Sequence, residues 1–300
     1  MPPLTSRSFK GTEMYAVTGA TGQVGSAVVK RLLARGERVR IVARDEGRAA
    51  DWVARGCELA LADITDVKAL AAAFAGCTGV FVLIPPLFDP EPGFPEVRAI
   101  AVALVEAIGK ARPGRVVMLS TIGAQASEPN LLTQLGIVEA TLAPLPIPVA
   151  FLRAAWFMEN AAADVVSARE TGVIASYLQP LDKPVPMVAT ADVGRLGADL
   201  LRETWTGTRI VELEGPERIA PIALAAAFSA QLERPVRAEA VERSAWETSF
   251  EAAGARNPGP RARMVDGFNE GWIEFEAGEA GSLKGMTKLP EVVARLVVRR

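Results

Sequence analysis

Met14-Tyr-Ala-Val-Thr-Gly-Ala-Thr-Gly-Gln-Val-Gly25 is the stretch of this chain that decides its fold. A short apolar strand ends in three glycines spaced three residues apart, Gly19, Gly22 and Gly25, before an amphipathic helix from Ser26 to Arg35. The first glycine permits a tight turn, the second lets the backbone approach a pyrophosphate, and the third lets the helix pack on the strand. The helix N-terminus then offers free N–H groups to phosphates. In this setting the triplet predicts a dinucleotide site rather than an ordinary turn.

The residue that closes the second strand, Arg38 to Ala43, indicates which dinucleotide to expect. NAD sites usually place Asp or Glu there, where it accepts hydrogen bonds from the ribose 2′-hydroxyl. Here the strand runs into Arg44, whose planar guanidinium suits the 2′-phosphate of NADP, and Arg48 follows one turn later. Asp45 keeps NAD open as the alternative. We therefore expect NADP(H), with NAD(H) second.

Composition limits the class of protein. Half of the 300 residues are hydrophobic and only 6% are aromatic, an aliphatic bias typical of a buried parallel sheet covered by helices. The net charge is −2 and there is no basic tract, so we expect no nucleic-acid partner. No apolar stretch approaches the roughly 18 residues needed to span a bilayer, so we expect no membrane association.

Residue types that are rare or missing exclude several kinds of chemistry. The chain has no histidine, which removes histidine acid–base catalysis and histidine-ligated zinc, so we expect no metal site. Its two cysteines, Cys57 and Cys77, fit reduced thiols in a cytoplasmic protein. The first ten residues lack the apolar core of a signal peptide and are expected to form a loose leader.

Alternating strands and helices in the first half predict an α/β fold with a Rossmann-type, doubly wound parallel sheet. We expect residues 14–153 to form the NAD(P)-binding domain, with residues 188–205 returning to it. Residues 154–187 and 206–300 are expected to form a smaller α+β C-terminal substrate lobe. We predict a helix from Asp192 to Arg202 within the returning segment and a strand from Arg209 to Leu213 within the smaller lobe.

Ligands of such sheets bind beyond the carboxyl ends of the strands. Asp63 and Ile64 follow the third strand and are placed to flank an adenine ring, although Asp63 equally suits a turn or a cap for the helix at Val67. Ile84 and Pro85 follow the fourth strand and could wall the ribose and nicotinamide, or form a rigid exit loop. The predicted cofactor-binding residues are Gly19, Thr21, Gly22, Gln23, Val24, Gly25, Arg44, Asp63, Ile64, Ile84 and Pro85.

Four segments of the chain resemble the NmrA-like family of atypical short-chain dehydrogenase/reductases. They are Val17–Gly25, the strand end Ile41–Arg44, Leu152-Arg-Ala-Ala-Trp-Phe-Met-Glu-Asn160, and Pro186-Met-Val-Ala-Thr-Ala-Asp-Val-Gly194. The resemblance covers about residues 14 to 300. It implies an NAD(P)-binding protein, and the family includes NADPH-dependent quinone reductases as well as NADP(H) redox sensors without turnover.

Typical members of the wider superfamily use a Ser near the end of the fifth strand and a Tyr-x-x-x-Lys pair about a dozen residues later. Ser120 and Thr121 are present here, but residues 125–137 contain neither Tyr nor Lys. The chain's tyrosines are Tyr15, within the first strand, and Tyr177, far downstream. We therefore assign no catalytic residue and expect no ordinary alcohol–ketone interconversion.

Several residues are candidates for the substrate pocket, each with a structural alternative. Trp156 and Phe157 could stack on a flat ring or pack between lobes, and Asn160 could bind nicotinamide or cap a loop. Tyr177 lies on a segment that could cover the pocket or be exposed, and the resemblance places Gln134 near nicotinamide. Arg153 is either a buried structural charge or a guide for an anion. The candidate pocket residues are Ser120, Thr121, Gln134, Trp156, Phe157, Asn160 and Tyr177.

These features predict an oxidoreductase whose chemistry rests mainly on its cofactor. Reducing a quinone leaves a delocalised phenolate that solvent can protonate, so the missing Tyr-Lys pair is tolerable. We expect hydride transfer to a small-molecule acceptor that is quinone-like or otherwise conjugated. The alternatives are a non-catalytic NADP(H) sensor that binds a partner protein, and an unusual reductase of imines, dyes or phenylpropanoid ethers.

Overall fold

Eight parallel strands form the central sheet of the computed structural model, which describes residues 13–298. The predicted leader, residues 1–10, lies outside the described residues. The strands of the chain are β1 (Met14–Thr18), β2 (Arg38–Ala43), β3 (Glu58–Leu61), β4 (Gly79–Val82), β5 (Val116–Thr121), β6 (Val149–Ala154), β7 (Trp156–Phe157), β8 (Val173–Ser176), β9 (Met187–Val188), β10 (Thr208–Glu214), β11 (Arg237–Ala240) and β12 (Leu283–Lys284).

The order of strands across the sheet is β12-β10-β6-β5-β4-β1-β2-β3, so the direction of winding reverses between β1 and β4. Two small sheets lie outside it, β11 with β8 and β7 with β9. The helices are α1 (Gln23–Ala34), α2 (Glu46–Ala54), α3 (Val67–Phe74), α4 (Pro95–Ala111), α5 (Thr133–Leu142), α6 (Val165–Glu170), α7 (Thr190–Arg202), α8 (Pro221–Leu232), α9 (Trp246–Ala252), α10 (Gly259–Glu270), α11 (Gly278–Gly281) and α12 (Leu289–Val298), with 3₁₀ turns at Met158–Asp164 and Arg243–Ala245.

Side chains of the sheet are buried on both faces because helices cover both. Tyr15 and Val17 of β1 belong to the core that includes α1, α2 and α7. Met14 and Ala16 alternate with them and belong to the core formed with α3, α4 and α5. This alternation follows from the two-residue period of a strand, and the all-apolar run is typical of a doubly covered parallel sheet. The predicted Rossmann-type fold is therefore confirmed.

Four helices of the described chain were not predicted, α2, α10 and the short helices α6 and α11. Helix α2 buries only Ala49 and Trp52 among its nine residues, so its sequence carries little apolar periodicity. Helix α10 begins Gly-Pro and contains Gly267, residues that normally argue against a helix. The first helix begins at Gln23, three residues before the predicted start, because the glycine turn itself ends in helical geometry.

One assignment to the smaller lobe was wrong. Strand β10 pairs in parallel with β6 from Thr208↔Val149 to Leu213↔Ala154, so it extends the main sheet, and β12 pairs with β10 beyond it. Residues 206–300 therefore do not all lie outside the sheet. Val211 and Leu213 of β10 pack in the same hydrophobic core as the neighbouring strand β6. Helix α7 packs closely on α1, where a side chain at Gly194 would clash with Ala27. The division into two lobes otherwise stays a prediction.

Two kinds of feature are absent from residues 13–298. No helix there combines the length and apolar character needed to cross a membrane. Among the same residues, no group of three or more His, Cys, Asp or Glu side chains is arranged to hold a metal ion.

Candidate functional site

The glycine turn joins β1 to α1 at the carboxyl edge of the sheet, beside the reversal of strand order. Gly19 has φ +64°, and a Cβ atom there would lie 2.8 Å from Leu83 Cδ2. The Gly22 N–H donates to the Gly19 carbonyl at 2.9 Å, which closes the turn. A Cβ at Gly25 would lie 2.5 Å from the Gly19 carbonyl carbon and closer still to its oxygen. The third glycine therefore lets α1 sit directly against the turn.

The N-terminus of α1 is open to an anion. Asp45 and Asp66 cap α2 and α3 with their carboxylates, whereas no described side chain caps α1 at Gly22. The first turn of α1 also contains no acidic residue. Its N–H groups at Gln23 and Val24 therefore keep their donor capacity and the positive end of the helix dipole. This arrangement fits a dinucleotide pyrophosphate.

A cavity of about 400 Å³ borders the glycine turn on the side of α2. It is lined by Ala20, Thr21, Ser26, Lys30, Arg48, Asp51, Trp52 and Arg55. Trp52 donates its indole N–H to the Ala20 carbonyl at 3.0 Å and so ties α2 to the turn. The Arg55 guanidinium lies over the Trp52 ring, 5.0 Å from its centroid. The cavity is therefore polar and has a fixed wall.

Three cationic side chains line this cavity, Lys30, Arg48 and Arg55, together with the carboxylate of Asp51, and Arg44 lies just before α2 in the chain. Within residues 13–298, neither Lys30, Arg44, Arg48 nor Arg55 forms a salt bridge, although most other arginines of the protein do. An unpaired cluster of this kind favours a bound anion, because each charge is otherwise left to solvent. The sequence pointed to Arg44 and Arg48 but missed Lys30, Trp52 and Arg55. A helical wheel of residues 46–55 places Trp52 and Arg55 on one face with Arg48.

The two aspartates near Arg44 have local structural roles. Asp45 accepts a hydrogen bond from the Arg48 backbone N–H at 2.8 Å as the cap of α2. Asp63 accepts from the side chain and backbone N–H of Thr65, and these bonds, with a smaller contribution from Arg44, hold its pKa below the usual range. Asp66, not Asp63, caps the helix at Val67. Asp63 therefore forms a turn, and Ile64 beside it is half-buried.

The exit loop of β4 is fixed to the glycine turn. Thr18 Oγ1 accepts from the Leu83 N–H at 2.7 Å and donates to the Leu83 carbonyl at 3.1 Å. Ile84 and Pro85 follow at once and are half-buried. Because β1 and β4 flank the reversal of strand order, these two residues lie where a dinucleotide crosses the sheet in this fold.

Ser120 is not a free hydroxyl. It is buried at the end of β5 and donates a short hydrogen bond to Glu139 of α5. Glu139 in turn binds Arg153 of β6 through two hydrogen bonds, of 2.7 and 3.0 Å. Arg153 also contacts Glu276 at 2.8 Å and Glu212 at 3.7 Å. Arg153 is therefore a buried structural charge, and a carboxylate already holds the Ser120 proton.

The remaining pocket candidates are divided between several places. Trp156 packs edge-on against Phe268 of α10 at 5.3 Å, and Phe157 and Thr121 are half-buried. Asn160 is exposed in the 3₁₀ turn.

The two tyrosines lie in different parts of the fold. Tyr177 packs against Trp246 and Phe250, with ring centroids 5.9 and 5.0 Å apart, in an aromatic cluster of the C-terminal region. Tyr15 is buried in β1, where burial and a hydrogen bond to Glu13 raise its pKa.

Gln134 joins two segments above the sheet edge. Its amide nitrogen donates to the Leu87 and Leu131 carbonyls, both at 2.9 Å. Its Oε1 atom is buried and has no hydrogen-bond partner among the described residues. The residue is 4% exposed, so this oxygen is a buried acceptor without a hydrogen bond in the described structure.

Sequence reasoning missed a small cluster between α1 and α7. Glu159 accepts hydrogen bonds from the Thr190 backbone N–H at 3.0 Å and from its hydroxyl at 2.8 Å. The same hydroxyl lies 3.3 Å from Gln23 Oε1. The Gln23 side chain, next to the glycine turn, therefore lies against the connection from β9 to α7. Glu159 and Thr190 both lie in segments that carry the family resemblance, and this was the one feature of the sequence that could have pointed to them.

Comparisons with known proteins show the family to which the chain belongs. A model of the NAD(P)H-binding family matches residues 19–173, more than half of the chain. An NAD(P)H azoreductase from Xenophilus azovorans is 28% identical over 76% of this chain and 77% of its own length. Quinone oxidoreductase 2 from Escherichia coli is 26% identical over 80% and 82%.

A solved structure shows the same fold. The crystal structure of an NADPH-dependent quinone oxidoreductase from Escherichia coli, complexed with NADPH, superposes with a TM-score of 0.77 at 23% identity. The match covers 94% of this chain and 99% of that one. Together with the family model, these similarities confirm the resemblance to atypical short-chain dehydrogenase/reductases. The chain belongs to the NAD(P)H-binding family and is an NAD(P)H-dependent oxidoreductase.

Proposed function

We propose that this protein uses NADPH to reduce a flat, conjugated acceptor of the quinone or azo type, without an acid residue at the hydride-accepting end. The observation that carries the proposal is the Ser120–Glu139–Arg153 network. Its serine occupies the position of the superfamily's catalytic serine, yet its proton is bound by a buried carboxylate. An acceptor of this protein must therefore tolerate reduction without a positioned donor there.

The choice of NADPH over NADH rests on charge around the turn. Arg44 follows β2, and Lys30, Arg48 and Arg55 line the adjacent cavity without ion-pair partners in the described chain. A 2′-phosphate dianion would satisfy several of these charges, and arginine binds phosphate in bidentate geometry. Asp45, the residue that would favour NADH, is engaged as the cap of α2. We propose that the turn from Gly19 to Gly25 contacts the pyrophosphate.

The chemistry follows from what the chain can and cannot supply. Bound NADPH supplies a hydride at its nicotinamide. The chain holds that end through the loop at Ile84 and Pro85, orients the acceptor and excludes water. Reduction of a simple ketone would leave a basic alkoxide, for which a positioned acid contributes about 10²–10⁴-fold. Reduction of a quinone leaves a delocalised anion that solvent protonates, which suits a site without such an acid.

The similarity to an azoreductase and a quinone oxidoreductase supports this acceptor class, because both of those proteins reduce conjugated molecules. Trp156 and Phe157 are proposed to line the acceptor side, next to Phe268. We also propose a reducing, cytoplasmic location, since Cys57 and Cys77 are buried free thiols.

The test is turnover by the purified protein. NADPH is mixed with menadione, a benzoquinone and an azo dye, and the loss of NADPH absorbance is followed, with NADH as the parallel cofactor. We expect NADPH oxidation that depends on the acceptor and a higher kcat/KM with NADPH than with NADH. Tight NADPH binding without turnover of any acceptor would instead support the sensor alternative, in which a partner protein is the ligand of the C-terminal region.

A further inference from the structure

The loop after β4 is anchored to the C-terminal region by a carboxylate. Asp89 Oδ1 accepts hydrogen bonds from the backbone N–H groups of Asn257 at 2.7 Å and Arg256 at 3.0 Å. Its Oδ2 accepts from Arg256 Nε at 3.3 Å. The Asn257 side chain donates to the Pro90 carbonyl at 2.7 Å. These donors hold the pKa of Asp89 below its usual range, so the anchor is charged at neutral pH.

A second anchor holds the residue before Phe88. The Leu87 carbonyl accepts from Gln134 of α5 at 2.9 Å, and the same amide binds the Leu131 carbonyl. The Leu131 N–H donates to the Pro260 carbonyl at 2.8 Å, which leads back to the segment that binds Asp89. Three distant segments thus form one closed ring of hydrogen bonds, which we call the edge ring. Its members are Leu87, Asp89, Leu131, Gln134, Asn257 and Pro260.

Phe88 lies between the two anchors and is left uncovered. Its neighbours Leu87 and Asp89 are both fixed, yet 64% of Phe88 is exposed. An exposed phenylalanine gains nothing from burial, whereas fixing its backbone costs conformational entropy. The loop starts at Leu83, which is bound to Thr18 next to the glycine turn. Phe88 therefore lies in the connection that follows the carboxyl end of β4 and is tied to the first turn of α5, at the edge of the sheet where a dinucleotide binds in this fold.

We propose that Phe88 is a specificity-determining residue that stacks on the acceptor, and that Asp89 and Gln134 are positioning residues that hold it there. This inference rests on the proposed function and adds its acceptor contact. A flat conjugated ring offers a face for an aromatic side chain, whereas a saturated carbonyl compound does not. The edge ring keeps Phe88 in place without covering it, so the acceptor provides the missing surface.

The test measures acceptor binding in the absence of turnover. Menadione is titrated by calorimetry into protein saturated with NADP⁺, which cannot donate a hydride, and the NADP⁺ dissociation constant is measured separately. We expect Phe88→Ala to weaken menadione about three- to tenfold and to leave NADP⁺ affinity within about twofold. Phe88→Leu, which keeps apolar bulk without a flat ring, recovers less than half of the loss. The matched control is Val102→Ala on α4, whose side chain is 53% exposed, and it leaves both constants unchanged.

The positioning role has its own variants. Asp89→Asn keeps the shape of the side chain but removes its charge, and Asp89→Ala removes the anchor. Both should weaken menadione, the alanine variant as much as Phe88→Ala, and amide exchange should accelerate at Arg256 and Asn257. Glu203→Gln breaks a comparable surface pair with Arg209 and is the control for charge removal.

Each outcome decides the inference. Menadione affinity that is unchanged in Phe88→Ala overturns the stacking role, and equal losses of menadione and NADP⁺ affinity overturn its assignment to the acceptor. If amide exchange at Arg256 and Asn257 is faster in Asp89→Ala but menadione affinity is unchanged, the edge ring only stabilises the loop, and the positioning role is overturned. Wild-type protein that binds menadione through Phe88 but never oxidises NADPH would refute the proposed function alone.

Discussion

Replacing Gly25 by alanine tests how tightly the glycine turn is built. The new Cβ would lie 2.5 Å from the Gly19 carbonyl carbon and 2.9 Å from the Ala20 nitrogen. These are backbone atoms about 1 Å inside ordinary contact distance, so the turn or α1 must shift. Overpacking of this kind costs about 1–3 kcal/mol, and rigid backbone favours the upper end. Alanine returns up to about 1 kcal/mol of helix propensity, so we expect a net loss near 2 kcal/mol.

Two other glycines serve as matched controls. A Cβ at Gly22 would lie 3.4 Å from the Gly19 oxygen and would meet no other atom, so Gly22→Ala should change stability by less than about 0.5 kcal/mol. It would still narrow the surface that faces the pyrophosphate, and we expect NADPH affinity to fall more than about tenfold. Gly109 in α4 has nothing within 4 Å of its added Cβ, so Gly109→Ala reports helix propensity alone, about 1 kcal/mol of stabilisation.

The assay is thermal and denaturant unfolding of the three variants, with NADPH affinity measured by fluorescence. A loss of 2 kcal/mol corresponds to a Tm lowered by about 4–8 °C for a chain somewhat smaller than this one. The expected order of stability is Gly109→Ala above wild type, Gly22→Ala equal to it, and Gly25→Ala below it. Equal Tm values for the Gly22 and Gly25 variants would refute the close approach of α1 to the turn.

Three further predictions concern charges and protons. Arg44→Asp should weaken NADPH binding at least about tenfold more than NADH binding in calorimetry, because an arginine–phosphate bond is lost; equal losses would show that Arg44 does not contact the 2′-phosphate. Ser120→Ala should keep kcat with menadione within about threefold while costing about 1 kcal/mol of stability, whereas a drop of 10² or more would make Ser120 the missing acid. Burial raises the pKa of Asp164 to about 6, above the value of about 3.9 expected in the unfolded chain, and its carboxylate makes no capping hydrogen bond. The free energy of unfolding should therefore fall as pH rises from about 4 to 6. Asp164→Asn should stabilise the protein at pH 7 by about 1–3 kcal/mol but not at pH 4, and a stabilisation that does not depend on pH would contradict burial as the cause.

The glycine turn and the sheet could be predicted because both are encoded locally. The spacing of Gly19, Gly22 and Gly25 specifies a turn within seven residues, and apolar runs bounded by Gly and Pro mark the strands. The cation at Arg44 lies a short distance further along the chain. For these features the sequence neighbours are also the structural neighbours, so a single sequence was sufficient to predict them.

The edge ring and the Ser120 network could not be predicted, because their partners are far apart in sequence. Asp89 and Asn257 are separated by 168 residues, and Arg153 and Glu276 by 123. No local pattern says which carboxylate a buried arginine will meet. Tyr177 illustrates the same limit, since its neighbours Trp246 and Phe250 belong to a helix that follows it by about 70 residues. The prediction that β10 lies outside the sheet failed for the same reason, because parallel pairing leaves no short connection to detect.

The carboxyl edge of the sheet divides into two electrostatically different halves, and this division decides what selects each ligand. Beyond the carboxyl ends of β1 and β2, Lys30, Arg44, Arg48 and Arg55 form no salt bridge within residues 13–298 and the α1 N–H groups are open, so we expect this half to attract phosphate through charge. At the ends of β5, β6 and β10 the carboxylates of Glu139 and Glu212 both pair with Arg153, and the hydrogen bonds of this group are taken. Disrupting such a buried network to bind a charged acceptor would cost several kcal/mol. Under the proposed function we therefore expect the acceptor to be selected by shape and apolar contact, and a flat conjugated molecule is the class that binds well on those terms alone.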